Sequence, residues 1–204
     1  MEPNGNITVR APRNLDLQKI NSIVSLKSGW IYKAISELEE LNRTKVHRSL
    51  VNGEGYLYLG KNYRLKIEKS PQLPLSLTQG YFVLDKSQIS RAKEHFINFY
   101  KEKGKEHITE RVEYFRKRIG VEPKTVRIME LRNRWASRSK TGLNFHWKVM
   151  LAPMTVIDYM IVHELAHLKR EDHSPQFWEI VESIIPDYDE KKSWLRSNGA
   201  NLDI

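Results

Sequence analysis

The chain has 204 residues, 34 of them basic and 25 acidic, so its formal net charge is +9. Its hydrophobic content of 40% excludes a disordered chain, and the lack of cysteine excludes disulfide frameworks, thiolate zinc fingers, iron–sulfur clusters and cysteine nucleophiles. No apolar run is long enough to cross a membrane, and the N-terminus shows no apolar signal-peptide core. We therefore expect a soluble, cytoplasmic protein without a membrane partner.

The first third of the chain mixes helix and strand patterns. Ile7–Arg10 alternates like a short strand, and apolar residues recur at helical spacing from Leu17 to Leu41, with a break expected at Ser28-Gly29. Three more strands are indicated by alternating residues and turn signals: Tyr56–Leu59, Tyr63–Ile67 and Gly80–Leu84. These elements predict an N-terminal α+β region over residues 1–87.

From residue 88 the pattern changes to long helices followed by strands. Amphipathic helices are predicted at Ile89–Lys103 and His107–Ile119. Strands are predicted at Thr125–Leu131 and Leu143–Leu151, separated by a basic segment. The sequence therefore predicts a second α+β domain over residues 88–204, with a soft boundary near residues 85–90.

The most informative segment contains His163-Glu164-Leu165-Ala166-His167. A chain of this composition is expected to hold about 0.02 copies of such a pattern by chance. Residues four apart share one face of a helix, so His163 and His167 can offer two imidazoles to one metal ion. Glu164 projects to one side, where its carboxylate can reach a water molecule without being a ligand. The apolar residues around the motif predict a helix, which Thr155 is placed to cap with Asp158.

A third metal ligand is predicted at His173. The helix must end between His167 and His173, and Ser174-Pro175 supplies the N-cap and first residue of a new helix, which Pro186 ends. Three histidines leave the fourth position of a tetrahedral zinc ion open for water, as in catalytic sites. The sequence therefore predicts one Zn²⁺ per chain, with Glu164 as the general base of a hydrolase that acts on amide bonds.

The sequence resembles the YgjP-like metallopeptidase domain family of predicted metal-dependent hydrolases, which is itself similar to the SprT-like proteases. The resemblance covers nearly the whole chain and rests on GEGYLYLGKNYRL from residue 53, the RW-x-S segment at Arg134–Ser137, Leu151-Ala152-Pro153, and IDYMIVHELAHL with the later HSPQFW. It implies a zincin-like metallopeptidase domain, an active-site helix against a small mixed sheet, with an N-terminal α+β extension. It also implies His163, His167 and His173 as zinc ligands and Glu164 as general base. The chain departs from the family pattern at Ala136-Ser137-Arg138 and at His146.

Other residues carry weaker hypotheses. Tyr159 lies four positions before His163 and is a candidate oxyanion donor, although a packing role is the simpler interpretation. Tyr188 is a second candidate of the same kind, and Asp172 could orient a ligand histidine. Arg138 could bind an anionic group or be solvated. The remaining histidines among charged residues are expected to be solvated: His47, His95 and His107.

Three functions remain open on these residues. The leading one is a cytoplasmic zinc metallopeptidase whose protein or peptide substrate lies along an exposed edge strand, for which we choose Leu143–Leu151. The second is a nucleic-acid-associated protein, because Lys124–Lys140 holds six basic residues and one acidic residue around Trp135. The two combine in a protease that acts on DNA-linked proteins. The third is a metal-dependent hydrolase of a non-peptide substrate. Zinc, manganese or iron fits imidazole ligands, and the oligomeric state is left open.

Overall fold

The computed structural model describes residues 9, 11–12, 14–32, 48–69, 73–131, 134–139 and 142–204. By their internal contacts the residues form two units, Met1–Lys45 and Val46–Ile204. In the first unit, helix α1 spans Leu17–Leu26, a turn follows at residue 27, and residues 28–32 are helical again. The predicted helical interruption is therefore present, one residue early. Most of the predicted strand at Ile7–Arg10 and the end of the helical pattern lie outside the described residues.

The second unit begins with a four-stranded sheet in the order β1-β2-β4-β3. Its strands are β1 (Gly55–Tyr58), β2 (Lys61–Glu68), β3 (Leu75–Thr78) and β4 (Tyr81–Asp85). Two antiparallel hairpins meet through the parallel pair β2 and β4. Each hairpin closes on two residues with positive φ, Leu59-Gly60 and Gln79-Gly80, as in type I′ turns. Strand β3 was not predicted, because it follows Pro74 directly in a stretch that reads as a loop.

One helix, α2 (Ala92–Ile119), follows a 3₁₀ turn at Lys86–Arg91. Two helices were predicted here, and this prediction was wrong. The helix continues through Gly104, where a Cβ atom would lie only 3.2 Å from the side chains of Ile128 and Met150. The glycine therefore lets the helix approach its neighbours closely. The buried residues of α2 form one stripe along the helix: Ala92, Phe96, Tyr100, Gly104, Ile108, Val112, Phe115 and Ile119.

The second sheet has three strands in the order β5-β7-β6, which span Val126–Met129, Gly142–His146 and Ala136–Ser139 respectively. The prediction of an edge strand at Leu143–Leu151 was wrong in two respects. Strand β7 is central, paired with β5 on one side and β6 on the other. It also ends at His146, whose Nδ1 accepts the Lys148 N–H at 3.0 Å and starts a 3₁₀ turn over Trp147–Leu151. Among the described residues the edge strands of this sheet are β5 and β6.

Three helices complete the unit: α3 (Met154–Ala166), α4 (Pro175–Ile184) and α5 (Tyr188–Asn198). Helix α3 contacts α2, α4, α5 and β6, which accounts for its apolar character on nearly every side. The predicted cap at Thr155 was wrong, because α3 begins after Pro153 and Arg111 binds the Asp158 carboxylate through two contacts of 2.7 Å. The predicted Ser174 N-cap with Pro175 in the first turn of α4 is confirmed.

The first hairpin contacts the segment that leads into α3. The backbone N–H of Leu59 donates to Met150 O at 2.8 Å, and that of Gly60 donates to Leu151 O at 3.2 Å. The predicted α+β class is confirmed by this mixture of helices and two sheets. The predicted division after residue 87 falls inside the second unit, because strands β1–β4 and the later elements share one hydrophobic core.

Candidate metal centre

Three histidines meet at the end of α3. His163 lies in the last turn of the helix, His167 is the residue that caps it, and His173 comes directly before the Ser174 N-cap of α4. Their candidate ligand nitrogens all lie within 4.8 Å of one another. The helix end that allows this is a tight turn, in which the N–H groups of Lys169 and Arg170 both bond to Ala166 O. The structure thus brings together the three histidines that the sequence predicted as ligands.

The distances within this cluster fit a small cation. The Nε2 atoms of His163 and His173 are 3.2 Å apart. Ligand bonds of about 2.0–2.1 Å in a tetrahedron place two nitrogens roughly 3.3 Å apart. The centroid of the His167 ring lies 4.8 Å from that of His163 and 4.7 Å from that of His173. The spacing of the three rings therefore matches the requirements of one metal ion.

Hydrogen bonds on the outer side of the cluster orient His167. Its Nδ1 is 3.1 Å from the Arg170 carbonyl oxygen, so Nδ1–H donates there and Nε2 keeps its lone pair for a cation. The backbone carbonyl of His167 accepts a hydrogen bond of 3.2 Å from the Arg138 guanidinium, which also pairs with Glu171 at 2.9 Å. Arg138 therefore connects strand β6 to the end of α3 and is not a freely solvated side chain.

Two of the histidines, His163 and His167, are electrostatically suited to bind a metal as neutral rings. Burial, followed by the neighbouring His167 and His173, lowers the pKa of His163 to about 3. Burial also lowers the pKa of His167. The Nδ1 atom of His163 is buried without a hydrogen-bond partner among the described residues. A buried imidazole with so few partners is costly in a core and is typical of a ligand cluster.

Glu164 is a buried carboxylic acid beside this cluster. Its side chain is on α3, only 8% of the residue is exposed, and among the described residues it has no hydrogen bond or ion pair. Burial raises the pKa of Glu164 to about 7, against the opposing positive charges of Arg138 and Arg134. A carboxyl group with a pKa near neutrality can both accept and release a proton.

Aromatic rings surround the histidines. The buried Phe177 ring lies 4.5–5.0 Å from each of the three imidazoles. Tyr159 is also buried, its ring lies 5.9 Å from that of His163, and burial raises its pKa to about 12. Sequence analysis singled out Tyr159 but missed the position of Phe177, whose helical spacing in α4 predicts only a core residue.

The other predicted residues lie outside this cluster or in different roles. His95 bonds to Gln88 at 3.1 Å and His107 to Tyr58 at 2.9 Å, so the prediction that both are solvated was wrong. His47 lies outside the described residues. Asp172 is exposed, and its charge acts on His167 without a hydrogen bond to it in the described part of the chain. Tyr188 stacks on Trp178 at 5.1 Å.

The basic segment around Trp135 divides between the two edges of the second sheet. Trp135 is half-buried and packs on the core, where a Cβ atom on Gly199 would lie 2.9 Å from its ring. Two of the six basic residues, Arg132 and Lys140, lie outside the described residues. Binding of nucleic acid to this segment stays a prediction.

Comparison with known proteins identifies relatives of the chain. The model of the family described as YgjP-like, metallopeptidase domain, matches residues 1–198. A solved structure, the metallopeptidase zymogen abylysin of Pyrococcus abyssi, is 28% identical over 45% of this chain and 93% of its own, with a TM-score of 0.42. Among curated proteins none matches the chain. In the described part of the chain, no helix combines the length and apolarity that a membrane span requires.

Proposed function

Because the chain belongs to the YgjP-like metallopeptidase domain family, we propose that it is a zinc-dependent peptidase that binds one Zn²⁺ per chain. One observation carries the proposal. The ligand nitrogens of His163, His167 and His173 lie within 4.8 Å of one another, beside the buried, unpaired carboxyl group of Glu164. We further propose that the second unit is zincin-like, with α3 as its active-site helix, and that the protein acts in the cytoplasm.

The chemistry of the donor set supports zinc. Three neutral imidazoles are typical of a catalytic zinc site with one open position. When bound, the metal ion would supply Lewis acidity, which polarises a peptide carbonyl and makes water a stronger acid. The chain's own contribution is to hold the rings in place through the Arg170 carbonyl contact and the packing of Phe177.

Glu164 would move the proton of the reaction. Its carboxylate accepts a proton from the water molecule whose oxygen attacks the carbonyl carbon, and it donates that proton to the nitrogen of the leaving amine as the C–N bond breaks. A pKa of about 7 suits both steps, because it lies close to neutral pH. Burial excludes the bulk water that would otherwise solvate the carboxylate and weaken its basicity.

Two further features would position the substrate. The hydroxyl of Tyr159 has no hydrogen-bond partner in the described part of the chain, and burial keeps it protonated as a donor to the carbonyl oxygen while negative charge develops there. Strand β6 is an edge strand in contact with α3, so an extended peptide can add to it by main-chain hydrogen bonds. We therefore propose β6, in place of Leu143–Leu151, as the edge strand along which the substrate binds.

The test is peptidase activity of the zinc-loaded protein and of its Glu164→Gln variant on unstructured peptides. The variant is expected to keep its zinc and to lose about 10²- to 10⁴-fold in kcat, since it lacks the general base. Glu179→Gln is the matched control, because it makes the same change on an exposed position of α4. Undiminished cleavage by Glu164→Gln would contradict the mechanism. A zinc-loaded wild type that cleaves no peptide would favour the non-peptide hydrolase.

A further inference from the structure

Two aromatic rings and one cation lie beside His163 and His173. The rings of Trp178 on α4 and Tyr188 on α5 are stacked, with centroids 5.1 Å apart and an interplanar angle of 18°. The Trp178 centroid lies 5.9 Å from that of His163 and 5.7 Å from that of His173. The Lys192 Nζ atom lies 4.6 Å from the Trp178 ring centroid. We call Trp178, Tyr188 and Lys192 the aromatic wall.

The ammonium group of the exposed Lys192 lies over the Trp178 ring and has no counterion among the described residues. Tyr188 and Lys192 are four residues apart on α5 and therefore share one face of the helix. A cation over the face of a tryptophan is attracted to the electron-rich face of the ring. Among the described residues no carboxylate pairs with Lys192, whereas the adjacent Lys191 pairs with both Asp187 and Glu190.

Some of the positively charged side chains around the histidine cluster are paired with a carboxylate, and others are not. Arg138 is paired with Glu171, but Lys192 and Arg134 have no carboxylate partner in the described part of the chain. The charge of Lys192 acts on His163 and that of Arg134 on Glu164, so both cations lie within electrostatic reach of the site. Two carboxylates also act on this side: the charges of Asp189 and Glu182 both act on Tyr188, and that of Asp189 also acts on Tyr159.

We propose that the aromatic wall is a substrate subsite that selects peptides with an acidic side chain next to the scissile bond. The parts of the half-buried Trp178 and Tyr188 rings that are not stacked on each other would cover the methylene groups of that side chain, and Lys192 would pair with its carboxylate. An ion pair of this kind is stronger beside an apolar surface than in open solvent, because less water screens it. The inference rests on the proposed peptidase function and adds a substrate class to it.

The experiment compares three series of fluorogenic peptides, which carry Glu, Gln or Lys at one varied position and are otherwise identical. Within each series the varied position is moved along the peptide, on both sides of the cleavage point. For zinc-loaded wild type, kcat/KM is expected to be about three- to tenfold higher for Glu than for Gln at one position, and lowest for Lys. Lys192→Gln is expected to remove the preference for Glu, and Lys192→Glu to reverse it in favour of Lys. Lys191→Gln, the matched control on the next residue, should keep the wild-type preference.

Two results would overturn the inference and leave the peptidase function intact. These are equal cleavage of the Glu and Gln series by wild type, and an unchanged preference in Lys192→Gln. If wild type cleaves no peptide, the proposed function fails, and the subsite is tested separately by binding. The dissociation constants of the same peptides for zinc-loaded Glu164→Gln, measured by fluorescence anisotropy, should then still favour Glu, and equal constants for Glu and Gln would overturn the subsite.

Discussion

The Nε2 atoms of His163 and His173 lie 3.2 Å apart, although ten residues separate them in the chain. One ring belongs to the last turn of α3 and the other precedes the first turn of α4. Two neutral imidazoles have little reason to approach so closely unless they share a proton or a cation. The third ring, His167, donates its Nδ1–H to the Arg170 carbonyl, so its Nε2 lone pair is free for a cation. This arrangement favours a shared cation.

Replacement of His173 tests the cluster directly. In His173→Ala, zinc affinity is expected to fall by more than the roughly 10- to 100-fold typical of losing a supporting residue, because a ligand itself is removed. Metal content by elemental mass spectrometry and a competition titration with a chelator would measure this. His95→Ala is the control, since that ring bonds to Gln88 outside the cluster. Equal zinc content in wild type and His173→Ala would show that this histidine is not a ligand.

Arg138 should affect the metal site without touching the metal. Its guanidinium holds the His167 carbonyl at 3.2 Å and Glu171 at 2.9 Å, so Arg138→Met loses both contacts at the end of α3. We expect zinc to bind about tenfold more weakly. Glu171→Gln should have a smaller effect, because it leaves the carbonyl contact in place. If zinc affinity is the same in Arg138→Met and wild type, this connection does not support the site.

Alanine replacements at two glycines in equivalent turns, Gly60 and Gly80, test how tightly the first hairpin packs against Pro153. Gly60 and Gly80 have φ of 75° and 79°, so either replacement by alanine costs about 1–2 kcal/mol in the left-handed conformation. A Cβ atom at Gly60 would also lie 2.8 Å from the Pro153 Cα, whereas nothing lies within 4 Å at Gly80. Gly60→Ala is therefore expected to lose a further ~1–3 kcal/mol.

Urea unfolding of the two alanine variants would measure that difference in the free energy of unfolding. A similar loss at both glycines would show that the turn at Gly60 can move away from Pro153. The hairpin would then not constrain the residue before α3.

The stability of the metal-free protein should decrease on acidification, with a contribution from His146. Burial lowers the pKa of this side chain in the folded protein. The unfolded chain therefore takes up the proton first, and stability falls as the pH drops below about 6.5. His146→Asn removes this contribution and keeps an oxygen that can accept the Lys148 N–H.

Chemical denaturation of chelator-treated protein between pH 7.5 and 5 would show the effect. The slope of unfolding free energy against pH should be shallower in His146→Asn, by at most about 1.4 kcal/mol per pH unit. His163 and His167 contribute in the same direction, so the variant retains part of the slope. Identical slopes would show that the pKa of His146 is the same in the folded and the unfolded protein.

The sequence alone predicted those features that depend on residues close together in the chain. Helical periodicity places His163 and His167 on one face, and the Ser174-Pro175 pair marks where the second helix begins, so local patterns alone predicted the three-histidine cluster. Local signals were misleading where packing outweighed them. The predicted interruption between Lys103 and His107 contains Gly104, which lies inside α2, where its missing side chain allows Ile128 and Met150 to approach.

Only the tertiary structure decided which groups surround the histidines. The contact between Arg138 and His167 spans 29 positions, and Lys192 reaches Trp178 from a separate helix. The identity of the edge strand likewise depends on which strands pair with β7, and no periodicity within one strand reveals its partners. The burial that raises the pKa of Glu164 arises from the helices and strand that pack around α3. The candidate ligands could therefore be predicted from local sequence, whereas the burial, orientation and charge of the site come from residues distant in the chain.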